Sequence, residues 1–225
     1  MAALREEPWC RNMIRIPAVD EPADFDRRVR RPGRIFLNDH PNGPTNRDYQ
    51  GHTYWTRAHS QLYDSYAGIC AYCASWVPRA GHQVPSLHSS VDHFIPRVEE
   101  PRLAFEWTNF RIARRDLNES KGESTEVIDP MHIADDWFEL DFTTCRIKAA
   151  PAAHAIAKPR IARTVQLLRL NDSPLIDERM GIIGHFAHER IDMATIQRLF
   201  PFIAREIARQ NVEVTLKPAL QAVHP

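Results

Sequence analysis

Several features that would place a protein in a special class are missing from this sequence. Its 225 residues include only four cysteines, and Cys10 and Cys145 are isolated, so the chain lacks the cysteine framework of a disulfide-stabilised domain. No apolar run approaches membrane-spanning length, and the N-terminal segment lacks the apolar core of a signal peptide. We therefore expect a cytoplasmic protein with reduced thiols and no membrane partner.

The sequence also lacks an excess of charge of either sign. It has 29 basic and 29 acidic residues, which gives a formal net charge of zero. A protein that binds nucleic acid by itself is often more basic, so any such affinity must come from a local basic patch or from a partner. A hydrophobic content of 43% and a charged content of 26% are ordinary for a globular protein of this size.

The first 51 residues are rich in proline, arginine and aspartate, and predict an extended N-terminal arm. At most a turn or two of helix is expected, at Ala23 to Val29. The arm either packs over the body of the protein or contacts nucleic acid or a partner through its arginine cluster, and the sequence leaves both alternatives open. The clustered arginines are Arg27, Arg28, Arg30 and Arg31.

The remaining patterns predict an α+β protein, mostly helical, in a single domain. Helical spacing of apolar residues predicts helices at 52–69, from 159 to Asn171, at 175–199 and at 201–210. The aromatic face of the first helix is expected in the core, with nucleobase stacking as the alternative. Alternating residues from Phe138 to Ala149 predict a β-hairpin, and a further short strand is expected after residue 211. We divide the chain into the arm 1–51, a central part 52–130 and a C-terminal part 131–225.

The segment from Cys70 to Gly122 contains the residues with the most specific chemistry. It reads CAYC, then VDHFIPR, WTNF and NESKG, with strands expected at 91–95 and 110–113 and a short helix before Gly122. The imidazole of His93 titrates near working pH and suits a general base. Asp92 and Asn118 offer hard oxygen ligands, which suit Mg²⁺ or Mn²⁺ better than zinc. Adjacent strand residues point to opposite faces, so Asp92 and His93 can share a site only at a strand end.

Each of these residues has an ordinary structural explanation when taken alone. An Asp-His pair is uninformative by itself, Asn109 could lie in a simple turn, and Asn118 could cap the helix that it opens. What favours a catalytic site is the order of the motifs and their spacing within about thirty residues.

Together these motifs resemble those of the HNH, or ββα-metal, endonuclease superfamily. The resemblance implies that His93 is the general base, that Asp92 and Asn118 bind one catalytic Mg²⁺ or Mn²⁺ ion, and that the Asn109 amide holds the loop between the two strands. It implies an α+β fold with a ββα-metal core, and hydrolysis of phosphodiester bonds in DNA. The basic residues that would contact phosphate are Lys121, Arg97, Arg114 and Arg115.

The wider sequence is similar to HNH nuclease subunits of Septu-type and retron-associated anti-phage defence systems. This similarity includes IDP at 128–130, the expected hairpin, and RTVQLLRLNDSPLIDER at 163–179. In those systems the nuclease works beside an ATPase. The resemblance therefore implies an ATPase partner and a role in antiviral defence, with the helical C-terminal third as the docking surface.

One departure from the family pattern concerns structural zinc. Many HNH proteins carry a second C-x-x-C before the final asparagine, whereas the matching positions here hold arginine and leucine. Cys70 and Cys73 alone make a poor zinc site. Either hydrophobic packing has replaced the Zn²⁺ ion, which we expect, or His82 or His88 completes a rearranged site.

A second hypothesis belongs to a different functional class. The zero net charge and the missing cysteines motivate a non-catalytic nucleic-acid-binding or assembly subunit that keeps a degenerate HNH fold. Against it, the base and ligand positions all carry side chains that are competent for catalysis.

Overall fold

The computed structural model describes residues 16–79, 84–134 and 136–212, and its fold is α+β. The chain divides into two compact units. The first unit comprises residues 18–72 and 76–129, and the second comprises residues 16–17, 73–75 and the described residues from 130 onward. The first unit contains the predicted catalytic residues.

The start of the first unit is helical where an extended arm was expected. A π-helical turn, Asp26–Arg30, continues directly into helix α1, Arg31–Asn38. Pro32 has no N–H and its ring would clash with the carbonyl four residues earlier in a regular helix, and the wider π turn accommodates it. Val29 and Phe36 on this segment are buried. The helical turn at residues 26–29 agrees with the turn or two expected there, whereas the prediction of an extended segment is wrong for residues 30–38, because apolar burial outweighs the proline.

The helix expected at 52–69 is shorter and begins differently. A 3₁₀ turn, Tyr54–Ala58, leads into helix α2, His59–Ser65. The chain then turns at Gly68, whose φ is +72° and where a Cβ would lie 2.5 Å from the Tyr63 hydroxyl. Trp55, Leu62 and Tyr66 are all buried, as core packing requires.

A strand, a loop, a second strand and a helix follow in the predicted order. Strand β1, Ser89–His93, pairs antiparallel with strand β2, Phe110–Arg114, so that His93 lies opposite Phe110. Helix α3, Arg115–Lys121, begins directly after β2 and packs against both strands. Gly122, at φ +52°, ends the helix, as its position predicts. Asn118 lies inside α3, so its interpretation as the helix cap is wrong.

The second unit contains the predicted β-hairpin. Strand β3, Phe138–Asp141, pairs antiparallel with strand β4, Arg146–Ala149, which confirms it. The backbone N–H groups of Thr143 and Thr144 in the turn donate to Asp141 Oδ1. Helix α4, Ala157–Leu167, follows and packs on β4.

The rest of the second unit is helical, with one more helix than expected. Helices α5, Ser173–Ala187, and α6, Met193–Leu199, replace the single helix predicted at 175–199. The break occurs because Glu189 adopts a φ of +56° and the Asp192 side chain caps α6. Helix α7, Pro201–Arg209, matches its prediction.

Two further predictions can be compared with the fold. The strand expected after residue 211 lies almost wholly outside the described residues. Over the ranges given above, none of the helices has the length and apolar character needed to cross a bilayer.

Candidate active site

A pocket of about 340 Å³ opens where strand β1 ends. It brings together four of the residues predicted from the sequence, and aromatic and polar side chains that were not predicted also line it. The predicted residues are Asp92, His93, Asn118 and Arg97, and the additional ones include Trp55 and Asn46.

Asp92 and His93 share this pocket although they are neighbours on one strand. Strand β1 ends at His93, so the alternation of a regular strand stops there. The next N–H, that of Phe94, donates to the carbonyl of Asn109, and this bond closes the ladder. The end of the strand is thus what lets both residues line one cavity.

Asn109 bonds to the loop that joins the two strands. Its Oδ1 accepts from Ile95 N at 2.8 Å, and its Nδ2 donates to Ile95 O at 3.0 Å and to Leu103 O at 3.2 Å. The side chain is buried, so these bonds have little competition from water. Asn109 therefore fixes the chain that follows His93, which is the contact that the resemblance implied, while its part in catalysis stays a prediction.

The imidazole of His93 is held in one orientation and one tautomer. Its Nε2 lies 2.8 Å from the carbonyl oxygen of Ala104. A carbonyl only accepts, so Nε2 carries the proton and Nδ1 is the basic nitrogen. The rings of Trp55 and Phe110 contact the imidazole edge-on, with centroids at 4.9 Å and 5.3 Å. The orientation of the ring is therefore fixed by one hydrogen bond and two aromatic contacts.

Burial keeps His93 neutral. Burial is the largest cause that lowers the pKa of His93 to about 3; the bond to Ala104 opposes the change, and the positive charges of Arg97 and Lys121 contribute to it. The neutral form is the one that can accept a proton. The cationic form would need a negative charge in the pocket, and a bound phosphate would supply one.

The carboxylate of Asp92 is bonded on both oxygens by buried side chains. The Tyr72 hydroxyl donates to Oδ2, and Lys121 Nζ lies 3.1 Å from Oδ1. Burial raises the pKa of Asp92, and the ammonium of Lys121 and the hydroxyl of Tyr72 oppose that rise. Lys121 thus pairs with the buried carboxylate of Asp92 and is not among the residues that line the pocket. It was predicted to contact phosphate there.

The other predicted phosphate-binding residues differ in their surroundings. Arg97 lines the pocket, and its guanidinium stacks 4.7 Å from the ring centroids of both Tyr49 and Trp55. Arg114 is buried and forms two bonds of 2.8 Å with the carboxylate of Asp116. Arg115 is exposed and does not line the pocket. Arg97 is thus the one of the four that faces the cavity.

Comparison with models of known protein families gives no match, and comparison with curated proteins gives none. The chemistry of the pocket is therefore inferred from its own residues.

The two residues predicted to bind a magnesium or manganese ion, Asp92 and Asn118, both line the pocket. Asn118 donates from Nδ2 to Ser90 Oγ at 3.0 Å, so its Oδ1 is the atom suited to a cation. No group of three or more His, Cys, Asp or Glu that could hold a metal occurs in the part of the chain that the structure describes. Mg²⁺ does not need such a group, since one carboxylate with waters and substrate phosphate can complete its coordination. Asp92 and Asn118 are the residues that would hold it.

The cysteine pair lies outside the pocket. Cys70 and Cys73 are both buried, and Cys70 Sγ accepts from Tyr72 N at 3.4 Å and from Arg114 N at 3.3 Å. His88 is also buried, and His82 lies outside the described residues. The loss of the zinc ion stays a prediction.

Proposed function

We propose that this chain is an HNH endonuclease that hydrolyses phosphodiester bonds in DNA with the help of Mg²⁺ or Mn²⁺. The observation that carries the proposal is the shared pocket, in which His93, with Nδ1 as its unprotonated nitrogen, lies beside Asp92, Asn118 and Arg97. This hydrolysis needs a base that activates water and a cation that takes up charge at the leaving oxygen, and these residues would supply the base and the cation's oxygen ligands. The choice of DNA over RNA follows the resemblance alone.

In this proposal each residue has a defined task. His93 Nδ1 takes the proton of the attacking water, and the phosphate charge stabilises the imidazolium that forms. Arg97, whose guanidinium contacts two aromatic rings, binds a phosphate oxygen with its planar donors. When bound, the divalent ion supplies positive charge for the scissile phosphate. Asn109 is a positioning residue, because it acts through the backbone beside His93.

On the resemblance, we further propose that the chain is an effector of anti-phage defence in the cytoplasm that works beside an ATPase. Co-purification with the product of a neighbouring ATPase gene would support this role. If the chain cleaves DNA but binds no ATPase, the nuclease proposal would stand and the proposed ATPase partner would be wrong.

The cleavage assay uses plasmid DNA with Mg²⁺ or Mn²⁺. We expect the wild type to nick or cut the plasmid and His93→Ala to be slower by about two to four orders of magnitude, since it removes the base. His185→Ala is the matched control, because His185 is exposed on α5 in the other unit. Equal digestion by the wild type and His93→Ala, with both proteins folded, would refute the assignment.

A second candidate function is favoured by one observation. Asp92 is already neutralised by Lys121 and bonded by Tyr72, as it would be in a degenerate site that only binds nucleic acid or assembles. A chain that binds DNA without cutting it in any divalent metal would support this candidate over the first.

A further inference from the structure

A completely buried lysine lies against the carboxylate that would hold the metal. Lys121 Nζ is 3.1 Å from Asp92 Oδ1 and donates to the carbonyl oxygen of His93 at 2.8 Å. The lysine side chain has no exposed surface, and that of Asp92 is 3% exposed. Lys121 is therefore the counterion of Asp92 in this structure.

The contacts of Lys121 all favour an ammonium ion at this position. A buried charge is tolerated only with a partner of opposite sign and further hydrogen bonds, and Asp92 and the His93 carbonyl provide both. The ring of Phe94 lies 5.9 Å from Nζ, within the range of a cation–π contact. The ammonium group of Lys121 is thus held inside the protein by these contacts, and the side chain is not an exposed lysine that folds over the site.

The same position conflicts with a divalent cation on Asp92. Oxygen ligands bind Mg²⁺ or Mn²⁺ at about 2.1 Å, so an ion on Oδ1 would lie within about 5 Å of Nζ. Repulsion between a double and a single positive charge at that distance weakens binding by about tenfold even with the dielectric constant of water, and by more in a buried site. Asp92 can therefore bind such an ion well only when the ammonium has left.

We propose that Lys121 and the divalent cation are alternative counterions of Asp92, and that departure of Lys121 from the carboxylate opens the metal site. This inference rests on the proposed function only for the choice of Asp92 as a metal ligand. The position of Lys121 would then regulate metal binding. While Lys121 pairs with Asp92, the fold is stable and Asp92 binds divalent cations weakly.

The test measures Mn²⁺ binding, with the free ion detected by electron paramagnetic resonance at about pH 8, where carboxylates are ionised. Lys121→Gln keeps an N–H donor but removes the charge. We expect it to bind Mn²⁺ at least about tenfold more tightly than the wild type, and the double variant Asp92→Asn/Lys121→Gln to lose this gain. Lys158→Gln makes the same change in net charge on the exposed side of α4, and should bind as the wild type does.

Removing the charge leaves Asp92 buried without a counterion, so Lys121→Gln could fail to fold in metal-free buffer. In that case we expect millimolar Mn²⁺ to restore its far-ultraviolet circular dichroism, and the double variant to fold without metal. Three results would overturn the inference: a folded Lys121→Gln that binds Mn²⁺ no more tightly, a gain that survives Asp92→Asn, or an unfolded variant that Mn²⁺ does not rescue. Tighter Mn²⁺ binding by Lys121→Gln, with no DNA cleavage by either that variant or the wild type, would uphold it and refute the nuclease function.

Discussion

Part of the pH dependence of this protein's stability should come from the buried His93. Burial lowers the pKa of His93 to about 3 from an ordinary value of about 6.5. Below pH 6.5 the unfolded chain therefore binds a proton that the folded protein does not, so folding free energy is lost as the pH falls from about 6.5 towards 3. The loss approaches about 1.4 kcal/mol per pH unit in that window, which gives about 2 kcal/mol between about pH 7.5 and pH 5.

His93→Gln isolates this contribution, because glutamine can still donate to the carbonyl of Ala104 but takes up no proton. Urea unfolding of both proteins at about pH 7.5 and pH 5 should show that the variant loses about 2 kcal/mol less than the wild type on acidification. His185→Gln, at an exposed position on α5, is the control for the loss of a histidine elsewhere. If the wild type and His93→Gln lose the same free energy of unfolding on acidification, the folded protein protonates His93. That result would refute the lowered pKa of this residue.

Substitutions at two further residues test the loop beside the pocket and the pocket itself. Asn109→Ala removes three hydrogen bonds and leaves the N–H of Ile95 unpaired, so it should lower the free energy of unfolding by about 2 to 4 kcal/mol. Asn38→Ala, at the exposed end of α1, is its control in the same urea experiment, and equal effects would contradict the role of Asn109. Arg97→Lys keeps the charge but loses the planar stacking, so DNA affinity measured by fluorescence anisotropy should fall about tenfold with an unchanged salt dependence. Arg97→Gln should reduce that salt dependence, and no change would exclude a phosphate contact.

The elements that follow from local pattern were predicted well. The order of β1, β2 and α3, the β3–β4 hairpin and helix α7 agree with their predictions, because short-range spacing and turn chemistry decide them. The continuation of the helix over residues 30–38 and the break between α5 and α6 were missed. In both places a local signal was outweighed, by apolar burial in the first and by an aspartate cap in the second.

The sequence by itself determined the kinds of groups at the site and their order: a histidine beside an aspartate, two later asparagines, and a lysine after the second. Only the tertiary structure decided how these groups are used. Tyr72 and Lys121 meet Asp92 across separations of 20 and 29 residues, and Arg97 stacks on aromatic rings from a distant segment. The spacing of residues along the sequence cannot predict these contacts. They form between segments that come together only when the strands and the helix pack, and a charge buried by that packing needs a partner of opposite sign.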